Sequence, residues 1–197
     1  NSIMPIVING SGTVTGLSAG GISNTKAVAT AAMPAGSVLQ VLQDTKTVGH
    51  SQTTSGTTTY TIPGLSQAIT MTSASNKVLV QVSLSASASA NDYLGLSWWL
   101  NRTTSGSDNA IAIGDQTGSN RGRGSRHVGR NYNGNNQNSE ELVFLDTPGA
   151  GTHTYDIKYK DFNGDGGIFF LNWGASDSDT TSNVICCSTI TLTEIAV

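Results

Sequence analysis

From residue 37 onward the chain is written in period two. Val78, Val80, Val82 and Leu84 alternate with Leu79, Gln81, Ser83 and Ser85, and Leu94, Leu96, Trp98 and Leu100 leave Tyr93, Ser97, Trp99 and Asn101 on the other side. Successive side chains of an extended strand point to opposite faces, so each segment buries one face and offers the other elsewhere. No credible stretch of helical period competes with this pattern. The same reasoning predicts strands over 38–43, 57–62, 67–72, 109–113, 140–146, 152–162, 168–173 and 184–195. About ten strands joined by Gly, Asn, Ser and Asp turns imply an all-β fold, a β-sandwich or jelly roll. Leu142-Val143-Phe144-Leu145 and Ile168-Phe169-Phe170-Leu171 are apolar on both faces. A two-layer sandwich covers one face per sheet, so such strands need a second cover, and subunit contact is the economical expectation.

Composition narrows the class. A chain of 197 residues holds one domain with an extension. Only 12% of residues are charged, against about 25% in ordinary soluble domains, with Gly, Ser, Thr and Asn in their place. That bias suits an extracellular or virion β-protein. The net charge of −3 gives no electrostatic reason to bind nucleic acid. No apolar run approaches the roughly 18 residues of a membrane span, and the N-terminus lacks the basic and apolar regions of a secretory signal, so a soluble protein with no membrane insertion is expected. Cys186 and Cys187 are adjacent and cannot staple distant parts of a fold. They read as small reduced hydrophobes in the last strand, compatible with assembly in a reducing host cytoplasm.

The first 36 residues differ from the rest and form an expected docking arm and linker, with the knob domain at 37–197. Ile6, Val7 and Ile8 are one short strand's worth of apolar residues, followed by Asn9-Gly10, Ser11-Gly12 and Gly20-Gly21 turns. A lone strand has no core and needs a partner edge. The order from Met4 to Gly21 resembles the opening of virion structural proteins of tailed phages, notably marine and cyanobacterial ones of the tail-fibre or appendage type. From Pro34-Ala35-Gly36-Ser37-Val38-Leu39-Gln40-Val41 to Ser188-Thr189-Ile190-Thr191-Leu192-Thr193-Glu194-Ile195 the chain looks like the small all-β module that ends such proteins. The resemblance implies a place on the virion surface, virion docking through Ile6, Val7, Ile8 and Asn9, and a homotrimer of tumour-necrosis-factor-like jelly rolls. It transfers no catalytic signature.

Three local features could carry chemistry. Four of the five arginines, Arg121, Arg123, Arg126 and Arg130, fall in one glycine-rich stretch. Guanidinium forks suit carboxylates, phosphates and sulfates, which makes this a candidate anionic-ligand loop; the alternative is a solvated hairpin paired with Glu140 and Glu141. Asp161, Asn163 and Asp165 match the first half of a calcium loop, but Asn172 stands where the bidentate Glu belongs. Asn-Gly and Asp-Gly also serve a hairpin turn, so the calcium candidate competes with a turn. Tyr93 and Trp99 share a face and suit either a sugar ring or a subunit interface.

The histidines show no zinc spacing, and neither G-x-S-x-G nor a P-loop is present. The expectation is therefore a non-enzymatic virion structural protein without cofactors. It would act as a homotrimeric fibre or decoration knob whose partners are itself, other virion proteins (capsid, neck or tail) and a host surface glycan. The alternatives are a carbohydrate-binding receptor-recognition module and a polysaccharide hydrolase.

Overall fold

The longest strand organises the molecule. In the computed structural model, which describes residues 33–56, 58–89, 95–128, 137–164, 166–174, 179–181 and 183–197, Lys77–Ser89 is β4. Val78, Val80, Val82 and Leu84 are buried as their alternation requires, each at most 3% exposed. The other strands are β1 (Val38–Lys46), β2 (His50–Thr53), β3 (Thr59–Thr70), β5 (Leu96–Thr104), β6 (Ser107–Ile111), β7 (Arg126–His127), β8 (Asn138–Asp146), β9 (Thr152–Asp161), β10 (Ile168–Leu171) and β11 (Ser188–Ile195). No helix forms among the described residues. Ile6, Val7, Ile8, Asn9, Tyr93, Arg130 and Asp165 lie outside them.

All pairings are antiparallel and make two sheets. In the first, β11 and β8 pair with the same stretch of β4 from opposite edges, β1 lies beyond β11, and β10 continues along β4 with β2 outside it. The second runs β3-β9-β5, with β6 and β7 successively paired to β5. The long strands thus fall in the order β1-β11-β4-β8 on one sheet and β3-β9-β5-β6 on the other. The chain crosses between layers at six of its ten strand-to-strand connections, an interleaved order of the kind a jelly roll has.

The core lies between the sheets. Trp98, Leu96 and Leu100 of β5 and Tyr155, Ile157 and Tyr159 of β9 meet Val80, Phe169, Ile190 and Leu192 of the first sheet, all at most 1% exposed. Burial of these aromatic and branched side chains, each contributing about 1.5–3 kcal/mol, dominates stability. Polar ties hold the layers in register. Asp146 of β8 accepts from Arg102 Nη1 (2.6 Å) on β5 and from the Tyr155 hydroxyl (2.8 Å) on β9. Within the first sheet, Asn172, at φ 65°, donates to the carbonyls of Lys46 (2.8 Å) and Val48 (3.3 Å) and accepts from Ser188 Oγ (2.6 Å). Asn tolerates that left-handed conformation better than most residues.

Three expectations change. The strands expected at 57–62 and 67–72 are one strand, β3, because Pro63-Gly64 makes a register shift between Thr61 and Ser66 without ending the pairing with β9. Cys186 and Cys187 are free but precede β11 in non-strand backbone, with Cys187 exposed. Ile168–Leu171 needs no subunit cover: Phe169 and Leu171 are fully buried, and Phe170, on the other face, is 7% exposed within the single chain. The segment Leu142-Val143-Phe144-Leu145 does leave one face open in the single chain. Leu142 of β8 is buried, whereas Val143 and Leu145 are 64% and 48% exposed.

Candidate functional site

The two outer sheet faces carry different chemistry. On the first sheet, register places Leu145 of β8 beside Leu79 of β4, Leu79 beside Thr193 of β11, and Thr193 beside Val41 of β1. Strand alternation puts all four on the outer face, and Val41 is 58% exposed. The next outward row joins Val143, Gln81, Thr191 and Gln43. A shallow groove of about 230 Å³ crosses this face over Gln81, Ser83, Glu141, Val143, Thr189 and Thr191. The edge strand therefore starts a row of three apolar side chains, Leu145, Leu79 and Val41, interrupted at the buried Thr193, with Glu141 as a carboxylate near it.

On the second sheet the outward positions are polar and charged. Asp108 of β6 accepts from Lys158, from Thr103 (2.6 Å) and from Asn101 (3.2 Å), and Asn101 also donates to Asp156 (2.7 Å). Hydrogen bonds from Lys158, Thr103 and Asn101 pull the Asp108 carboxyl down to about 2. Asp156 moves the other way, raised chiefly by burial. Each carboxylate is tied into a strand-to-strand network on an open sheet surface.

The arginine loop grows from the edge of that sheet. After β6 the chain leaves β5 at Ile111 and returns at Ser125, whose N–H donates to the Trp98 carbonyl (2.8 Å). The neck of the excursion is pinched where Gly114 N–H donates to the Gly124 carbonyl (3.2 Å). Gly124 lies so close to β5 that a Cβ would come within 2.9 Å of Ser97 Cβ. Gly122 rests on the Phe162 ring, where an added Cβ would approach Cγ to 2.6 Å. Glycine at both positions lets backbone approach that closely.

Phe162 joins the loop to the sheet. Its N–H donates to the Gly95 carbonyl (3.1 Å), and its ring lies 6.3 Å from that of Trp99. Lys160 Nζ sits 5.1 Å from the ring centroid, within cation–π range. Between loop and ring opens a cleft of about 450 Å³ lined by Gln116, Ser119, Asn120, Arg121, Arg123 and Phe162, with no carboxylate in its wall.

The structure thus divides the arginines that sequence grouped. Arg121 is exposed on the cleft and makes no hydrogen bond or ion pair with the described residues. Arg123 donates from Nε to the Gly114 carbonyl (2.6 Å), bracing the loop neck. Arg126 turns to the first sheet and donates to the main-chain carbonyl of Glu141 (3.0 Å), not to its carboxylate. Trp99 lies on the outer face beside Phe162, a residue the sequence reading treated only as a strand end. Asp161 is fully buried and accepts the N–H groups of Asn163 (3.0 Å) and Gly166 (3.3 Å), as a turn-forming Asp does.

No family model matches the chain, and no curated protein matches it. Among solved structures it is similar to one described as the structure of infectious bursal disease virus Gx strain, at a TM-score of 0.37 and 12% identity. That alignment covers 80% of this chain and 36% of the viral one, so the chain spans about a third of that protein's length.

Proposed function

We propose that this chain is a non-enzymatic structural protein of a phage virion. In this reading it is a homotrimeric surface knob that packs through the outer face of the β1-β11-β4-β8 sheet and is anchored by its N-terminal arm. The observation that carries the reading is the outer face of that sheet, where Val41, Val143 and Leu145 are 58%, 64% and 48% exposed and register sets the half-buried Leu79 beside Leu145. A contiguous apolar surface rimmed by Gln, Ser and Thr is what a protein contact uses. The likeness of Met4 to Gly21 to phage appendage openings supports the virion location. The arm would add a strand to a partner's sheet edge, with Ile6 and Ile8 on one face and Val7 on the other. The tied-up Asp108 and Asp156 support a non-catalytic role, since a glycosidase needs carboxyl groups free to face a sugar from two sides.

The test is immunogold labelling of intact particles with antibody against residues 37–197. Lattice-like label on the head means decoration, label on tail or fibres means an appendage, and particles free of label would end the virion reading. Deleting residues 1–21 should leave a folded protein that no longer joins particles.

A further inference from the structure

We propose that the cleft between the Arg121–Arg123 loop and Phe162 binds an acidic saccharide, a chain of sugars carrying carboxylate or sulfate groups. Four observations converge on that class. The walls supply two guanidinium groups and no carboxylate. Arg121 has no partner among the described residues, while Arg123 is braced through Nε by Gly114 and makes no other hydrogen bond among them. Among the described residues one cation is therefore unpartnered and the other pre-positioned, an arrangement suited to the planar, two-pronged bonding of carboxylate or sulfate. Gln116, Ser119 and Asn120 add amide and hydroxyl groups that both donate and accept, as sugar hydroxyls require. Phe162, backed by Trp99 6.3 Å away and partly covered by the Gly122 backbone, leaves the rest of its ring as an apolar patch in the cleft wall for the C–H groups of a pyranose.

The dimensions agree. A cleft of about 450 Å³ accommodates a sugar unit or two and remains open to the surface, so a longer chain could run through it. Lys160, beside Phe162, extends the positive potential along the sheet face. The loop is also shaped in advance: Gly114 and Gly124 close its neck, and Gly122 lets backbone lie on the ring. Less ordering on binding leaves more of the contact energy for affinity.

The experiment is calorimetric titration of the full chain with four probes: an oligogalacturonate, a sulfated dextran oligomer, neutral maltoheptaose, and inorganic sulfate. Binding of either acidic oligosaccharide, with maltoheptaose silent and free sulfate far weaker, is the expected result. Arg121→Ala should weaken that binding by at least about tenfold, the scale of a lost charge-assisted pair. Gly122→Ala keeps every charge but drives a methyl group into the Phe162 ring, and should weaken binding comparably. Arg126→Ala removes the same charge outside the cleft and should stay within about twofold of the parent, as surface charges at a distance do. Equal losses in Arg121→Ala and Arg126→Ala would show diffuse attraction and overturn the site, as would wild-type binding by Gly122→Ala. Silence of all four probes, equal binding of maltoheptaose, or sulfate as tight as the oligomers would overturn the ligand class. Because the titration reads a face away from the apolar row, its failure leaves the structural role of the chain standing.

Discussion

The two outer faces of this sandwich are built by the same strand alternation and end with opposite characters. On the β1-β11-β4-β8 sheet the outward positions are Val41, Leu79, Val143, Leu145 and a run of threonines. On the β3-β9-β5-β6 sheet they are Lys158, Lys160, Asp108, Asp156, Trp99 and Thr103. The first face sets exposed Val41, Val143 and Leu145 among uncharged Gln, Ser and Thr, with Glu141 as a carboxylate beside them, and gains by being covered. The second is cross-linked by its own side chains, and its edge carries a loop whose Arg121 has no partner among the described residues. One fold thus separates a surface suited to packing against protein from one suited to a polar, charged ligand. Period two makes that separation possible, since it lets each sheet's outer face vary while the inner faces stay apolar.

The largest effect should come from loosening the tie that holds the faces back to back. Asp146→Ala strands Arg102 between the sheets without its carboxylate and removes the acceptor of the Tyr155 hydroxyl. Losing one partner of such a buried pair costs about 3–5 kcal/mol, which urea denaturation would read as a lower midpoint. Gly49→Ala comes next. A Cβ there would approach the Trp173 ring to 2.5 Å, and overpacking of that kind costs about 1–3 kcal/mol by the same assay.

Acid should separate buried groups from exposed ones. Burial, then the charge of Lys46, lowers the His50 pKa from 6.5. The unfolded chain therefore takes up that proton first, and stability declines as pH falls below 6.5 toward the folded value. Burial pushes Glu194 upward, but hydrogen bonds from Asn76, Gln40 and Thr72 outweigh it and hold the group below 4.5. Its contribution is present above 4.5 and is lost as pH falls through the lower folded value. Asp156, raised by burial, works in the opposite sense and is relieved by protonation. Denaturation midpoints measured from pH 7 to pH 3 should show two declines, with His50→Gln removing the upper one and Glu194→Gln reducing the lower, to which Asp108, pulled down to about 2, also adds. The smallest effect should be Leu145→Glu on monomer stability. An exposed outer-face change of this kind shifts the midpoint by no more than about 0.5 kcal/mol, whatever it does to association.

Much of the fold was legible because alternation is local. Val78 to Leu84 and Leu96 to Leu100 announce which faces they bury. The two-residue strand β7 was not legible, because its pairing at Ser97 and Trp98 is set by where the loop returns and not by its own residues. Nor was the cover over Phe170, since tertiary neighbours decide whether an apolar position is open. Val143 and Leu145 stay exposed in the single chain because an edge strand with two apolar faces has one that the sandwich cannot reach. At the cleft, sequence pointed to Arg121 and Arg123, grouped with them an Arg126 that turns to Glu141 on the other sheet, and did not single out Phe162. The missed signal was Phe162 itself, two residues beyond Lys160 on the same outward face of β9 as its strand ends.

The most direct test of the divided faces is sedimentation velocity on the full chain at micromolar concentration, comparing wild type, Leu145→Glu and Trp99→Ala. A trimer for wild type and Trp99→Ala, with Leu145→Glu reduced to a folded monomer, is the predicted result. A monomeric wild type, or a trimer that survives Leu145→Glu and dissociates with Trp99→Ala, would contradict it.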